Sequence, residues 1–155
     1  MNVNKTIALF LLSLTLLCFF ACSEAPESSV DDIASQIERS LDGYEFVDAN
    51  ERYLRANVDY QSELAVRYAA KRCESGAACE FGVFECRDKE MAKELAEHIK
   101  ARIEKRLELA DNRYFSDETS NLSSTRIERS GRYLFYCVLP QSDAKAALDI
   151  FEKSL

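Results

Sequence analysis

The chain has 155 residues, with 20 Lys+Arg against 27 Asp+Glu and a formal net charge of -7 at pH 7. Its length suits one ordinary domain. An acidic body is repelled by nucleic-acid phosphates and by anionic lipid headgroups, which argues against both as partners.

The opening "MNVNK" carries one cation, Lys5, and residues 6–23 carry no charge. That is the order of a secretory leader, and its apolar run is shorter than the roughly 18 to 20 residues a spanning helix needs. An ordinary signal cut is poorly served. It needs small residues last and third-last before the cut, yet "FFA" puts Phe19 in the second of those places, and a cut after Ala25 meets Pro26. The segment resembles a bacterial lipoprotein signal instead, in which a small residue, here Ala21, precedes a cysteine that is acylated on its thiol and becomes the mature N-terminus. Residues 1–21 are therefore expected to be a leader and Cys22 the lipidated residue, with Cys18 only a small hydrophobe within the leader. Acyl chains such as palmitate would hold the protein to the extracytoplasmic face of the cell membrane, making the membrane a partner through the anchor. Loss of Lys5 leaves the mature chain one charge more negative.

The polar, proline-containing "SEAPESS" at 23–29 reads as a spacer, with a reach of roughly 25 Å when extended. One domain, 30–155, follows. In "SVDDIASQIERSLDG", Val30, Ile33, Ala34, Ile37 and Leu41 recur at helical spacing between a Ser29 cap and Gly43. A short helix is expected through "NERYLRAN". The period then changes to two: Leu64, Val66, Tyr68 and Ala70 alternate as on a half-buried strand. "EFGVFECR" is a second strand, joined to the first by "CESGAAC" as a hairpin. From a cap at Asp88, the residues Met91, Leu95, Ile99, Ile103 and Leu107 form the stripe of a long helix, supported by Ala92 and Ala96.

After the polar "DNRYFSDETSN", the stretch "STRIERSGRYLFYCVL" reads as a second hairpin turning at Ser130 and Gly131. Residues 133–139 are apolar on both faces, which places that strand inside the sheet. A closing helix presents Ala144, Ala147, Leu148 and Phe151 to the core. The expected fold is α+β: a four-stranded antiparallel sheet of two hairpins, a long helix between them, helices at both ends, and one sheet face covered.

The leader, the "SELAVRY" strand, the "DKEMAKELAEHIKARIEKRLE" helix and the "SGRYLFYCVLPQSDAKAALDIFEKSL" ending resemble, in that order, the small bacterial lipoproteins grouped as domain-of-unknown-function family DUF4358. Glu63, Ala65 and Val66 match its first strand, Tyr114 its tyrosine segment, and Gly131, Tyr133, Asp143 and Ala147 its closing strand and helix. The resemblance implies an envelope location and this fold. It brings no catalytic residues.

Cys73, Cys79, Cys86 and Cys137 remain in the mature body, an even number expected outside the reducing cytosol and compatible with three pairings. Cys73 with Cys79 would clamp the hairpin tip, and Cys86 with Cys137 would join neighbouring strands. The alternative is buried free thiols acting as small hydrophobes, above all Cys137 in "LFYCVL". A redox reading makes Cys73 and Cys79 a thiol-disulfide pair, with Lys71 and Arg72 favouring a thiolate and Glu74 opposing it; five intervening residues is far from the two-residue spacing such enzymes use.

A metal site is not legible, because the cysteine spacings match no zinc pattern and the one histidine, His98, borders the long helix's apolar stripe. Every serine or cysteine dyad would have to use that same histidine. The acidic pairs Asp31/Asp32, Asp42/Asp48 and Asp117/Glu118 read as solvated carboxylates. The aromatics Tyr44, Phe46, Tyr53, Tyr60, Tyr114 and Phe115 sit between the periodic segments, as core caps or as a binding cleft around Tyr114 and Phe115. No cofactor is expected. The sequence reads as a non-catalytic binding module for an envelope protein or small ligand, the alternative being the redox protein.

Overall fold

The structure, a computed structural model, describes residues 28–75, 78–111 and 116–155. The leader, Cys22, Tyr114 and Phe115 lie outside the described residues. The elements in chain order are α1 (Val30–Ser40), β1 (Phe46–Asp48), α2 (Glu51–Val58), β2 (Ala65–Cys73), β3 (Glu80–Cys86), α3 (Lys89–Asp111), α4 (Ser116–Ser123), β4 (Arg126–Ser130), β5 (Tyr133–Val138) and α5 (Gln141–Ser154).

The helices begin where side chains satisfy their first free N–H groups. The Ser29 side chain accepts from Asp32 N, and Asn50 caps α2 by accepting from Tyr53 N. Asp88 Oδ1 accepts from Glu90 N at 2.9 Å and from Met91 N at 2.8 Å, opening α3. The second hairpin turns at Gly131, whose φ of 56° is left-handed and suits glycine.

All pairings are antiparallel, in the order β1-β2-β3-β5-β4, so the sheet has five strands. The expectation of four missed β1, whose three residues are too few to display alternation. It also missed α4, the polar "SDETSNLS". The expected interior position of β5 holds: all six of its residues are buried.

Helices cover both faces, correcting the expectation of one. On one face α1 and α5 bring Ile33, Ile37, Ala147 and Phe151 against Phe81, Val83 and Phe135. On the other, Leu54 of α2, Leu95 and Ile99 of α3 and Leu122 of α4 meet Phe84, Leu134 and Tyr136. The physical reason is the alternation of side chains along β3 and β5. Both strands are apolar on both sides, so each face needs a cover.

Register explains a second departure. Val66, expected to point inward with Leu64 and Tyr68, is 59% exposed, because the β2–β3 register shifts between Ala65 and Arg67. A bulge inserts one residue and turns its side chain to the other face.

Candidate interaction site

Cys73 and Cys79 form a disulfide at the β2–β3 turn, where Cys73 N–H also donates to Cys79 O at 2.8 Å. Both are buried, among the α1/α5-face residues. The pairing of Cys86 with Cys137 does not form; both are free and buried. Their strands are neighbours, as expected, but Cys137 lies opposite Phe81, and Cys86 lies in the α3-face core while Cys137 lies in the α1/α5-face core. A disulfide cannot reach through the sheet. Burial pushes the Cys86 thiol up to about 11 and the Cys137 thiol up to about 12, so both stay protonated at neutral pH.

The aromatics resolve unevenly. Tyr60 is core, Tyr53 packs on the α3 face, and Tyr44 and Phe46 pack on the α1/α5 face. The Tyr44 hydroxyl donates to Asp143 Oδ2 at 2.5 Å, tying the segment before β1 to α5. Burial and the Asp143 carboxylate raise that hydroxyl to about 12.

One polar cluster is almost invisible in the sequence. Glu80 is fully buried on the α3 face. Arg106 Nη1 donates to its Oε1, the Tyr53 hydroxyl donates to its Oε2, and the Arg72 guanidinium stacks over the Tyr53 ring at 5.5 Å. Burial, then the adjacent Glu80 charge, pushes the Tyr53 and Tyr136 hydroxyls upward. Tyr136 Oη is buried and has no hydrogen-bond partner among the described residues. Its ring lies across Gly82, directly opposite in the sheet; a Cβ there would sit 2.7 Å from Tyr136 Cε1. Glycine is needed for that close approach. The only sequence signal was a glutamate opening an otherwise apolar strand.

His98 is not isolated. Its Nδ1 lies 2.9 Å from Asp59 Oδ2 and 3.0 Å from Gln61 Nε2. Asp59 ends α2 in the left-handed region at φ 54°, so the histidine holds the turn that follows. Arg102 reaches from α3 to Ala56 O with Nε at 2.9 Å and Nη2 at 2.5 Å, capping the same helix end. Among the described residues, no group of three His, Cys, Asp or Glu could hold a metal ion, and no helix is long and apolar enough to cross a membrane.

The edge of β2 leaves main-chain groups beside a cleft. β1 pairs only with 71–73, and Ala49 N–H adds one bond to Ala70 O at 2.8 Å. In an antiparallel ladder a residue's N–H and C=O point to the same side and recur every second residue, so Tyr68 points both past the end of β1. A cleft of about 440 Å³ opens there between α1 and the strand, lined by Asp31, Ser35, Asp48, Tyr68 and Lys71. Lys71 Nζ is held 2.9 Å from Asp48 Oδ1 and 3.1 Å from Glu38 Oε2. Exposed Val66 lies further along the edge. Strand addition, rather than bond-making chemistry, is what such an edge offers.

No curated protein matches the chain, and no solved structure does. The family described as Domain of unknown function (DUF4358) matches residues 48–139, from the last residue of β1 to the residue after β5. That span contains both hairpins and the α3 face, while α1 and α5 flank it. The chain belongs to this family, as the order of its strands and its long helix implied.

Proposed function

We propose that this protein is a lipid-anchored lipoprotein of the extracytoplasmic membrane face whose domain is a non-catalytic binding module. The leader 1–21 is removed, Cys22 carries the acyl chains, and 23–29 tether the domain close to the bilayer. The recognised partner is an envelope protein or small ligand. The observation that carries the binding reading is the β2 edge, where Tyr68 offers main-chain groups beside a cleft that can take a side chain.

A photo-crosslinking residue at Val66, 59% exposed, is compared in native membranes with one at Leu109, 50% exposed on α3. A discrete adduct from position 66 and none from 109 is expected; equal labelling at both, or none, sinks the reading. The anchor is tested by intact mass, which should show a diacylglyceryl-sized increment on a chain starting at Cys22.

The second reading is a thiol-disulfide redox protein using Cys73 and Cys79, favoured by their being joined. Their burial weighs against it, since exchange needs an attackable sulfur. Alkylation of both after mild reduction of the folded protein would bring the redox reading forward.

A further inference from the structure

The opposite edge of the sheet has a property that its composition hides. Among the described residues β4 pairs only with β5, at the end of the sheet order. Its sequence "RIERS" has the charges that normally guard an edge against pairing. Next to it, α3 leaves a cleft of about 360 Å³ lined by Ala96, Glu97, Ile127, Glu128 and Arg129, where the side chains of one more strand would fit.

A second copy adding here by a two-fold axis must run antiparallel, with that axis normal to the sheet, so residues of equal parity face each other. Few registers satisfy this. Centring on Arg126 or Arg129 puts two guanidiniums face to face, and centring on Glu128 puts two carboxylates face to face. Like charges directly opposite are destabilising. Centring on Ile127 instead pairs Ile127 with itself and sets Arg126 opposite the second copy's Glu128, twice by symmetry. Centring on Ser130 sets Arg129 and Glu128 opposite the turn residues Gly131 and Arg132, so of the five centrings only Ile127 brings opposite charges of the strand itself face to face.

We propose that β4 is a self-association edge, pairing two copies antiparallel about Ile127 into a continuous ten-stranded sheet. The occupant is a second copy because the charge pattern is complementary to itself. Two five-residue strands bury less than the roughly 1,600 Å² of a standard interface, so the dimer is weak, with Kd on the order of tens of micromolar. This inference stands independently of the β2 edge and of the anchor.

The test is light scattering of the full chain in detergent from about 1 to 200 µM, a range bracketing that affinity. A monomer–dimer equilibrium is expected. E128R should weaken it at least tenfold, since two pairs become repulsive, and R126E/E128R should restore it. A monomer throughout, a dimer indifferent to E128R, or a folded double swap that stays weak overturns the proposal. A cysteine scan decides independently should the double swap not fold. Ile127→Cys should cross-link rapidly to itself, because directly opposed Cα atoms are about 5 Å apart. Glu128→Cys, whose copies would be about 8 Å apart, should not. Equal cross-linking at both positions, cross-linking at 128 alone, or none, contradicts the register.

Discussion

The two faces of the sheet are built on different terms. Under α1 and α5 the contact is apolar, with Phe135 stacked on Phe151 at 5.3 Å between ring centroids. Under α3 the apolar core surrounds a buried carboxylate, Glu80, held by an arginine from α3 and a tyrosine from α2. The first face depends on volume and tolerates approximate filling; the second depends on pairing, and fails when one partner is removed.

The contrast is broken most severely at Arg106. Arg106→Leu leaves Glu80 charged, buried and short of a partner, and should cost about 3–5 kcal/mol in urea unfolding. The double replacement Glu80→Leu with Arg106→Leu should recover most of that loss, because an apolar pair needs no desolvated charge. A double variant as unstable as the single would show that Arg106 acts through packing alone.

On the apolar face, Phe151→Ala should cost about 3–4 kcal/mol by cavity formation, with Phe151→Leu costing much less. The same pair of measurements then separates volume from pairing. Next in size is the hairpin staple: replacing Cys73 and Cys79 by serine opens a short loop and should cost about 2 kcal/mol, read as a lower thermal midpoint. Unchanged stability would remove its structural role.

The smallest effect has the opposite sign. Tyr136→Phe deletes a buried hydroxyl that lacks a partner among the described residues and should be neutral or stabilising by about 1 kcal/mol. A clear loss would mean that the hydroxyl is bonded in solution.

Alkali sharpens the comparison, since the three groups titrate from both faces. Cys86, Cys137 and Tyr44 have folded values raised above their ordinary ones, to about 11, 12 and 12. Their stabilising contribution is complete below the ordinary thiol and phenol range, and is lost as pH rises through the raised values. Stability should therefore begin to fall above about pH 9 and keep falling to about pH 12, followed by circular dichroism.

Much of this arrangement was legible in the sequence. The stripe from Met91 to Leu107 announced α3 because helical period over many residues is hard to produce otherwise, and the two-sided apolarity of 133–139 placed β5 inside. What escaped depends on partners distant in sequence. A three-residue β1 has no period of its own, the bulge that turns Val66 outward exists only in the pairing with β3, and Cys86 and Cys137 are separated by parity that only register reveals. The open edge at Tyr68 was hidden for the same reason: it is defined by where β1 stops. Glu80 looked like a strand-opening charge until α2 and α3 folded over it.

The placement of the four cysteines of the domain bears on the proposed extracytoplasmic location. The bridge between Cys73 and Cys79 spans few residues, so in the oxidising space that such a location would supply it can close before distant strands arrive. Once the sheet is complete, Cys86 and Cys137 sit on opposite sides of a hydrogen-bonded wall with their protons held tightly. Neither can attack the other, so the finished domain holds one bridge, Cys73–Cys79, among its described residues and keeps Cys86 and Cys137 as two separated thiols.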